Sequence, residues 1–555
     1  MPRCSQTPLW SLLAVFSTLA CGAADAPDEP ELAGGKADEP GACAPYDPCA
    51  ADDPAVERIV HALGGRAALL GLSAFVLESN GTRAWIDEGF SPDGPAEQAN
   101  EYETRSTFDT TTSAFAIEVE RLVTFGGFDA KQTFRQIVHG DVGHVEGIES
   151  VFGFPTGDLP SDRVAAIALE QRLLHPHLIG LDLLAHPDLA RALPDAEHDG
   201  RLYERTEVAR PVSPLVLWVD TKSGQLARVV TMESDPLRRD VEVAAVYGDW
   251  KPADDDADGA RFPRSVRLEH AGQTVLAETR TGVWARPELA PDALELPEAA
   301  APEFVGRDAE RGELHHRWHR GFASSGLPQS GVQSHVEATE LAPGVFHLTG
   351  GSHHSMVIQQ AEGVVVLEAP LYEARGLAIL DWIEDTLDAP TTHVVVSHFH
   401  QDHSAGARTF VARGATLVVG AGSEAHWDTI LAAPSSIDPD ALSTSGTKVG
   451  EVAVVPEDGK LVLDDATNPV TIYDLPSAHA VDMVVPHMPS ARAVFIADVY
   501  SPHSPAQIEG GPREAQVGLE ALGLLSEIDT IAGAHGQGTA TLDDLAAAVD
   551  AAAGR

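Results

Sequence analysis

The chain has 555 residues, enough for two or three domains that each bury an apolar core. Against 37 Lys and Arg stand 84 Asp and Glu, a formal charge of −47. A surface that acidic stays solvated and repels phosphate backbones, which argues against nucleic acid as a partner.

In chain order the first element is an export signal over residues 1–24, with Arg3, an apolar stretch from Pro8 to Ala20, and small residues around Cys21. The apolar part is too short to span a membrane as a mature helix. Thr18-Leu19-Ala20-Cys21 resembles a bacterial lipobox, although Thr18 stands where Leu, Val or Ile is usual and Leu19 where a smaller residue is usual. The resemblance implies a lipidated Cys21, a membrane tether and a place at the cell envelope, in the periplasm or on the outer membrane; ordinary signal cleavage is the alternative. Residues 25–54, rich in Pro, Gly, Ala and acids, read as a flexible tether. Cys43 and Cys49 flank APYDP there, and an oxidising compartment would allow them a small disulfide loop. With Cys4 in the signal, no cysteine lies beyond residue 49, so any later metal site must be built from His and carboxylates.

From 55 to 300 the pattern predicts an α+β domain built on one curved antiparallel sheet. A helix begins near Ala55 with Val56, Ile59, Val60 and Leu63 on one face, and Gly64-Gly65 ends it. Strands rich in β-branched and aromatic residues follow, with a hairpin loop at 220–224. VAAIALEQRLL and PHLIGLDLLA interrupt them as helices. The strand rhythm resembles the periplasmic lipoprotein-carrier fold, which implies an apolar cavity and a lipid ligand; a scaffold is the plain alternative. Asp254, Asp256, Asp258 and Gly259 begin like a calcium loop, but Ser265 stands where its closing glutamate belongs, which leaves a solvated loop. Residues 301–335, with His315, His316 and His319 in a basic tract, read as a linker.

From 336 to 555 strands and helices alternate, the mark of an α/β domain. Within it stands VVVSHFHQDHSAGA. His398 and His400, two apart at a strand end, project to one side, and Asp402 and His403 follow where a helix starts. A hydrolytic metal needs three protein ligands and an open position, so this quartet begins two sites and completes neither. His479, Asp498 and His535 each follow a later apolar strand, where α/β folds collect functional groups.

HxHxDH, a distal His, an Asp closing an apolar strand and a Gly-flanked His together resemble the metallo-β-lactamase superfamily, over about 336–555. The resemblance implies an αββα sandwich with metals at one edge. His398, His400 and His479 would hold one zinc, Asp402, His403 and His535 a second, and Asp498 would bridge them. GSHHSMVI, VVLEAPLYEA and IADVYSP resemble a subgroup of exported metallohydrolases. Glu368 replaces the usual aspartate, His354 a frequent Asn, and Ser477, Ala478 and Ala480 the usual glycines. The implied activity is an exported zinc hydrolase acting on a small-molecule ester, lactone, amide or thioester, with Asp402 orienting the nucleophile. Two alternatives stay open: one iron on His398, His479 and Asp498, as in the superfamily's persulfide-oxidising dioxygenases, or mainly a lipid or lipoprotein binder. His353, His354, His426, Asp482, His487 and His503 take no role, Asp482 and His354 being those expected nearest the metals. Neither the substrate nor the oligomeric state is legible, and 421–450 holds no readable specificity.

Overall fold

In a computed structural model of the protein the described residues are 53–124, 130–149, 157–297, 334–450, 452–504 and 507–553. The export signal, Cys21, Cys43, Cys49 and the histidines at 315, 316 and 319 lie outside them.

Helix α1 (Pro54–Ala62) starts where the Asp53 carboxylate accepts the Ala55 N–H at 2.9 Å, with a proline in its first turn. It stops at Gly64, whose φ of +114° suits a residue without a side chain. A Cβ there would sit 3.0 Å from the Ala260 Cα. Helix α2 (Arg66–Leu70) follows. The strands are β1 (Ala74–Trp85), β2 (Glu97–Asp109), β3 (Ala114–Val123), β4 (Ala130–His139) and β5 (Val142–Gly147). After α3 (Ser161–Leu174) and α4 (Pro176–Ala185) come β6 (Ala190–His198), β7 (Arg201–Val208), β8 (Leu215–Asp220) and β9 (Leu226–Asp235). Three long strands close the set: β10 (Arg239–Ala253), β11 (Asp256–His270) and β12 (Gln273–Trp284). All twelve form one sheet in the order β5-β4-β3-β2-β1-β12-β11-β10-β9-β8-β7-β6. Every pairing is antiparallel, and the first strand, β1, lies against the last, β12.

The helices lay Ile59, Leu63, Leu173 and Leu183 on this sheet. Between them lies a cavity of about 50 Å³, lined by Arg83, Glu170, Tyr102, Glu278 and their neighbours. Arg83 grips Glu170 with two hydrogen bonds of 3.1 and 2.6 Å, and the Tyr102 hydroxyl donates to Glu278 at 3.3 Å. A space this small, with these charged groups in its wall, suits a few water molecules. In the segment resembling a calcium loop, Asp254 accepts the Val283 N–H and Asp255 the Ala285 N–H, so these carboxylates cap the neighbouring strand.

The later strands make two further sheets among the described residues. The first runs β13 (Glu337–Ala342), β14 (Val345–Thr349), β15 (Ser355–Gln360), β16 (Gly363–Leu367), β17 (Thr391–Val395), β18 (Thr416–Gly420) and β19 (Ala453–Val455), in that order. From β16 onward it is parallel. GVVVL in β16 is buried at every position, as expected of a strand covered on both faces. On one face Ile358, Val365 and Val395 meet Ile472, Phe495 and Ile531 of the second sheet. On the other, Val364, Val366 and Val394 meet Ile379 of α5 (Glu373–Leu387) and Phe410. The second sheet orders β20 (Lys460–Leu463), β21 (Val470–Asp474), β22 (Val484–Met488), β23 (Ala493–Ile496), β24 (Thr530–Gly533) and β25 (Thr539–Ala540).

The antiparallel sheet and the α/β part belong to one compact unit. The turn between β9 and β10 inserts Leu237 into the same apolar cluster as Leu348, Ile379 and Trp427. Beside it Asp240 accepts the Ser436 N–H at 2.8 Å, and Arg239 donates to Ser435 Oγ at 3.1 Å and to the Asp438 carbonyl at 2.9 Å. Part of 421–450 is therefore a docking surface for this turn.

Candidate metal centre

Five strand ends deliver the site. β16 and β17 run parallel, so Glu368 and His398 emerge side by side at their carboxyl ends. Glu368 Oε1 accepts the Ser397 N–H at 2.8 Å, tying the two ends together. The chain then turns through His400 into the short helices α6 (Gln401–Ser404) and α7 (Ala407–Ala412). Gly406 permits that turn to lie on the preceding strand end, since a Cβ there would stand 3.0 Å from the Ala369 carbonyl oxygen. From the second sheet, His479 follows β21, while Asp498 and His535 follow the parallel pair β23 and β24. Ser477, two residues before His479, accepts the His479 N–H at 3.0 Å and is itself held by Glu514.

All seven sequence-predicted residues converge in two groups of donors, each with ligand atoms within 4.8 Å of one another. One holds His398, His400, His479 and Asp498; the other holds Asp402, His403, His535 and, in addition, His353. Asp498 stands between them. Its Oδ2 lies 2.9 Å from His479 Nε2 and 3.5 Å from His398 Nε2. Its Oδ1 lies 2.8 Å from His403 Nε2 and 2.9 Å from His535 Nε2. The side chains of His398 and His403 are 0 % exposed, while those of His479 and His535 are 15 % and 25 %, so the site opens on the side of the second pair.

Each deep histidine has its remote nitrogen engaged. His403 Nδ1 donates to Glu368 Oε2 at 2.8 Å, and His400 Nε2 donates to the Gly89 carbonyl at 2.8 Å. That leaves His400 Nδ1 as a lone pair facing inward and turns His403 Nε2 into the site, the two nitrogens a metal would use. His353 Nε2 donates to Asp402 Oδ2 at 2.9 Å. Burial, with the neighbouring imidazoles, holds His398 well below the usual histidine range and His400 down to about 4. Burial opposes the charge of His403 too, but Asp402, Asp498 and Glu368 outweigh it and raise His403 well above its ordinary value. Burial likewise opposes ionisation of Asp402 and Asp498, yet His403 and its neighbours keep both below the carboxylate range.

The donor set fits divalent cations. Paired imidazole nitrogens face each other at 3.3 Å (His398 and His479) and 3.1 Å (His403 and His535), where at most one of each pair can carry the intervening proton. Asp402 Oδ1 is buried with no hydrogen-bond partner among the described residues. Nitrogen and carboxylate oxygen without thiolate suit zinc, iron and manganese.

His354, expected near the metals, instead lies 3.2 Å by its Nδ1 from the Gly533 carbonyl and braces the turn before His535. Its neighbour His353 makes the approach, a choice of direction that two adjacent histidines in a sequence do not reveal. Asp482 accepts the Phe399 N–H at 3.3 Å and orders the ligand loop through its backbone. His503 lies 3.0 Å by its Nε2 from the Thr539 carbonyl; it, His426 and His487 belong to neither donor group. Gly89, in the antiparallel sheet's first loop, had no sequence signal at all.

No protein-family model and no curated protein matches the chain. Among solved structures, a metallo-β-lactamase from Pontibacter korlensis is similar over 40 % of this chain and 100 % of its own, at 15 % identity and a TM-score of 0.31. The FIM-1 metallo-β-lactamase of Pseudomonas aeruginosa in its mono-zinc form covers 39 % of this chain and 95 % of its own, at 16 % identity and a TM-score of 0.29. The DIM-1 metallo-β-lactamase covers 39 % and 97 %, at 16 % and 0.31.

Proposed function

We propose that this protein is an exported, zinc-dependent hydrolase acting on an ester, lactone, amide or thioester, its α/β part an αββα sandwich. The observation that carries this reading is Asp498 with one carboxylate oxygen toward each of two histidine groups. His398, His400 and His479 would hold one cation, Asp402, His403 and His535 the other, with Asp498 shared. Bound there, divalent cations supply Lewis acidity and bring the pKa of water from ~15.7 towards about 7. The chain's own part is positional. Asp402 Oδ1 accepts a hydrogen bond from the attacking water, and His353 Nε2–H on Oδ2 holds that carboxylate in place. Glu368 and the Gly89 carbonyl keep His403 and His400 in the required tautomers. Two donor groups sharing one carboxylate favour a pair of cations over a single iron.

Export and lipidation of Cys21 rest on the sequence of residues 1–24. No helix among the described residues is long and apolar enough to cross a membrane.

Purified protein should carry about two zinc ions per chain and hydrolyse members of a panel of esters, lactones, amides and thioesters. H398A/H400A should lose metal and hydrolysis together. Full metal content and activity in that variant would refute the reading, and iron with oxygen consumption would replace it by the oxidoreductase.

A further inference from the structure

The loop of residues 86–96 leaves β1, crosses to the α/β part and returns into β2. Its backbone is tied there at three points. The Asp87 carbonyl accepts the Gln401 N–H at 3.2 Å, Gly89 accepts from His400 Nε2 at 2.8 Å, and Phe90 accepts the Val481 N–H at 2.8 Å. Gln401 adjoins His400, and Val481 lies two residues beyond His479. The loop thus bonds to both segments that supply the histidines of the first donor group.

Its root is clamped as well. Asp87 takes a left-handed φ of 61°, a conformation with a cost for a residue bearing a Cβ. Arg238 grips its carboxylate through Nε at 2.8 and 3.1 Å and through Nη2. Arg238 follows Leu237 on the docked turn, so one interface fixes the other. Between Asp87 and Gly89, the Glu88 side chain is 2 % exposed and places Oε2 4.0 Å from His400 Nδ1. That nitrogen is the one the Gly89 hydrogen bond leaves as a lone pair.

We propose that this loop is part of the metal centre, Gly89 orienting His400 and Glu88 setting a carboxyl oxygen beside the first cation position. The antiparallel domain then contributes one loop to the site. The inference rests on reading the donor cluster as a metal centre. Glu88 and Arg238 act as positioning residues, through His400 and through the loop.

The experiment is metal competition on the full chain, stripped and titrated with Zn²⁺ against a chromophoric chelator, and with Co²⁺ followed by its visible absorption. Glu88→Gln keeps the shape and replaces the carboxyl by an amide; Arg238→Met frees the loop; Glu118→Gln, exposed on β3, is the reference. Glu88→Gln and Arg238→Met should each weaken one of two metal-binding steps by about 10–100-fold and alter the Co²⁺ band of that position. The other step and the melting temperature of metal-free Glu88→Gln should match the wild type. Wild-type protein that binds two cations, with both variants binding them equally well, overturns this inference and leaves the hydrolase reading standing. Wild-type protein that binds none overturns both.

Discussion

Asp482 touches the ligand loop by its backbone, and its own protonation is set by where it lies. Burial pushes its carboxyl up to about 7, against an ordinary value near 3.9. An acid whose pKa is raised by folding holds its proton more tightly in the native state. The resulting stability is present in full below pH ~4 and is lost as pH rises through ~7. In metal-free protein, Asp482→Asn should therefore exceed the wild type in stability at pH 8 by on the order of 2–4 kcal/mol. Denaturant melts at several pH values would test it: the gap should close below pH ~4, and a constant gap would exclude Asp482 as the titrating group. At this scale the members of the two donor groups were legible, because imidazoles and carboxylates a few positions apart, and again after apolar strands, have few other uses. Glu368 was visible only as a departure from a family pattern; its grip on His403 Nδ1 depends on two parallel strands ending level.

Among the elements, the turn between β9 and β10 decides most about assembly. Asp235 Oδ1 accepts the N–H groups of Leu237 and Arg238 at 2.9 and 2.8 Å, which shapes the turn and points Leu237 outward from its own sheet. That leucine is 1 % exposed because the α/β part closes over it. Leu237→Ala should cost about 2–5 kcal/mol through the cavity it leaves, and it should separate one unfolding transition into two. Calorimetry reads both effects; an unchanged single transition would show that the turn contributes nothing to the coupling. In the sequence SDPLRRD is an ordinary hairpin turn, and only its partner surface at 434–440 gives it this role.

For the molecule as a whole, the two donor groups sit where loops of both parts meet, so any metal bound there and global stability should be linked. A ligand bound to the native state at 100 times its Kd adds about 2.7 kcal/mol. Stripping the cations should lower the melting of the entire chain by several degrees, antiparallel sheet included. A shift confined to one of two transitions would show instead that the metal stabilises the α/β part alone. The sequence by itself determined the element types, the antiparallel-then-alternating order of the two parts and the seven His and Asp residues that converge in the two donor groups. Those follow from side-chain periodicity and from donor chemistry, which are local properties of the chain. Only the tertiary structure decided that the 86–96 loop reaches His400, that His353 and not His354 faces Asp402, and that the space under the large sheet is small and charged. Such pairings join residues as far as 311 positions apart, and no local pattern encodes which surfaces will pack.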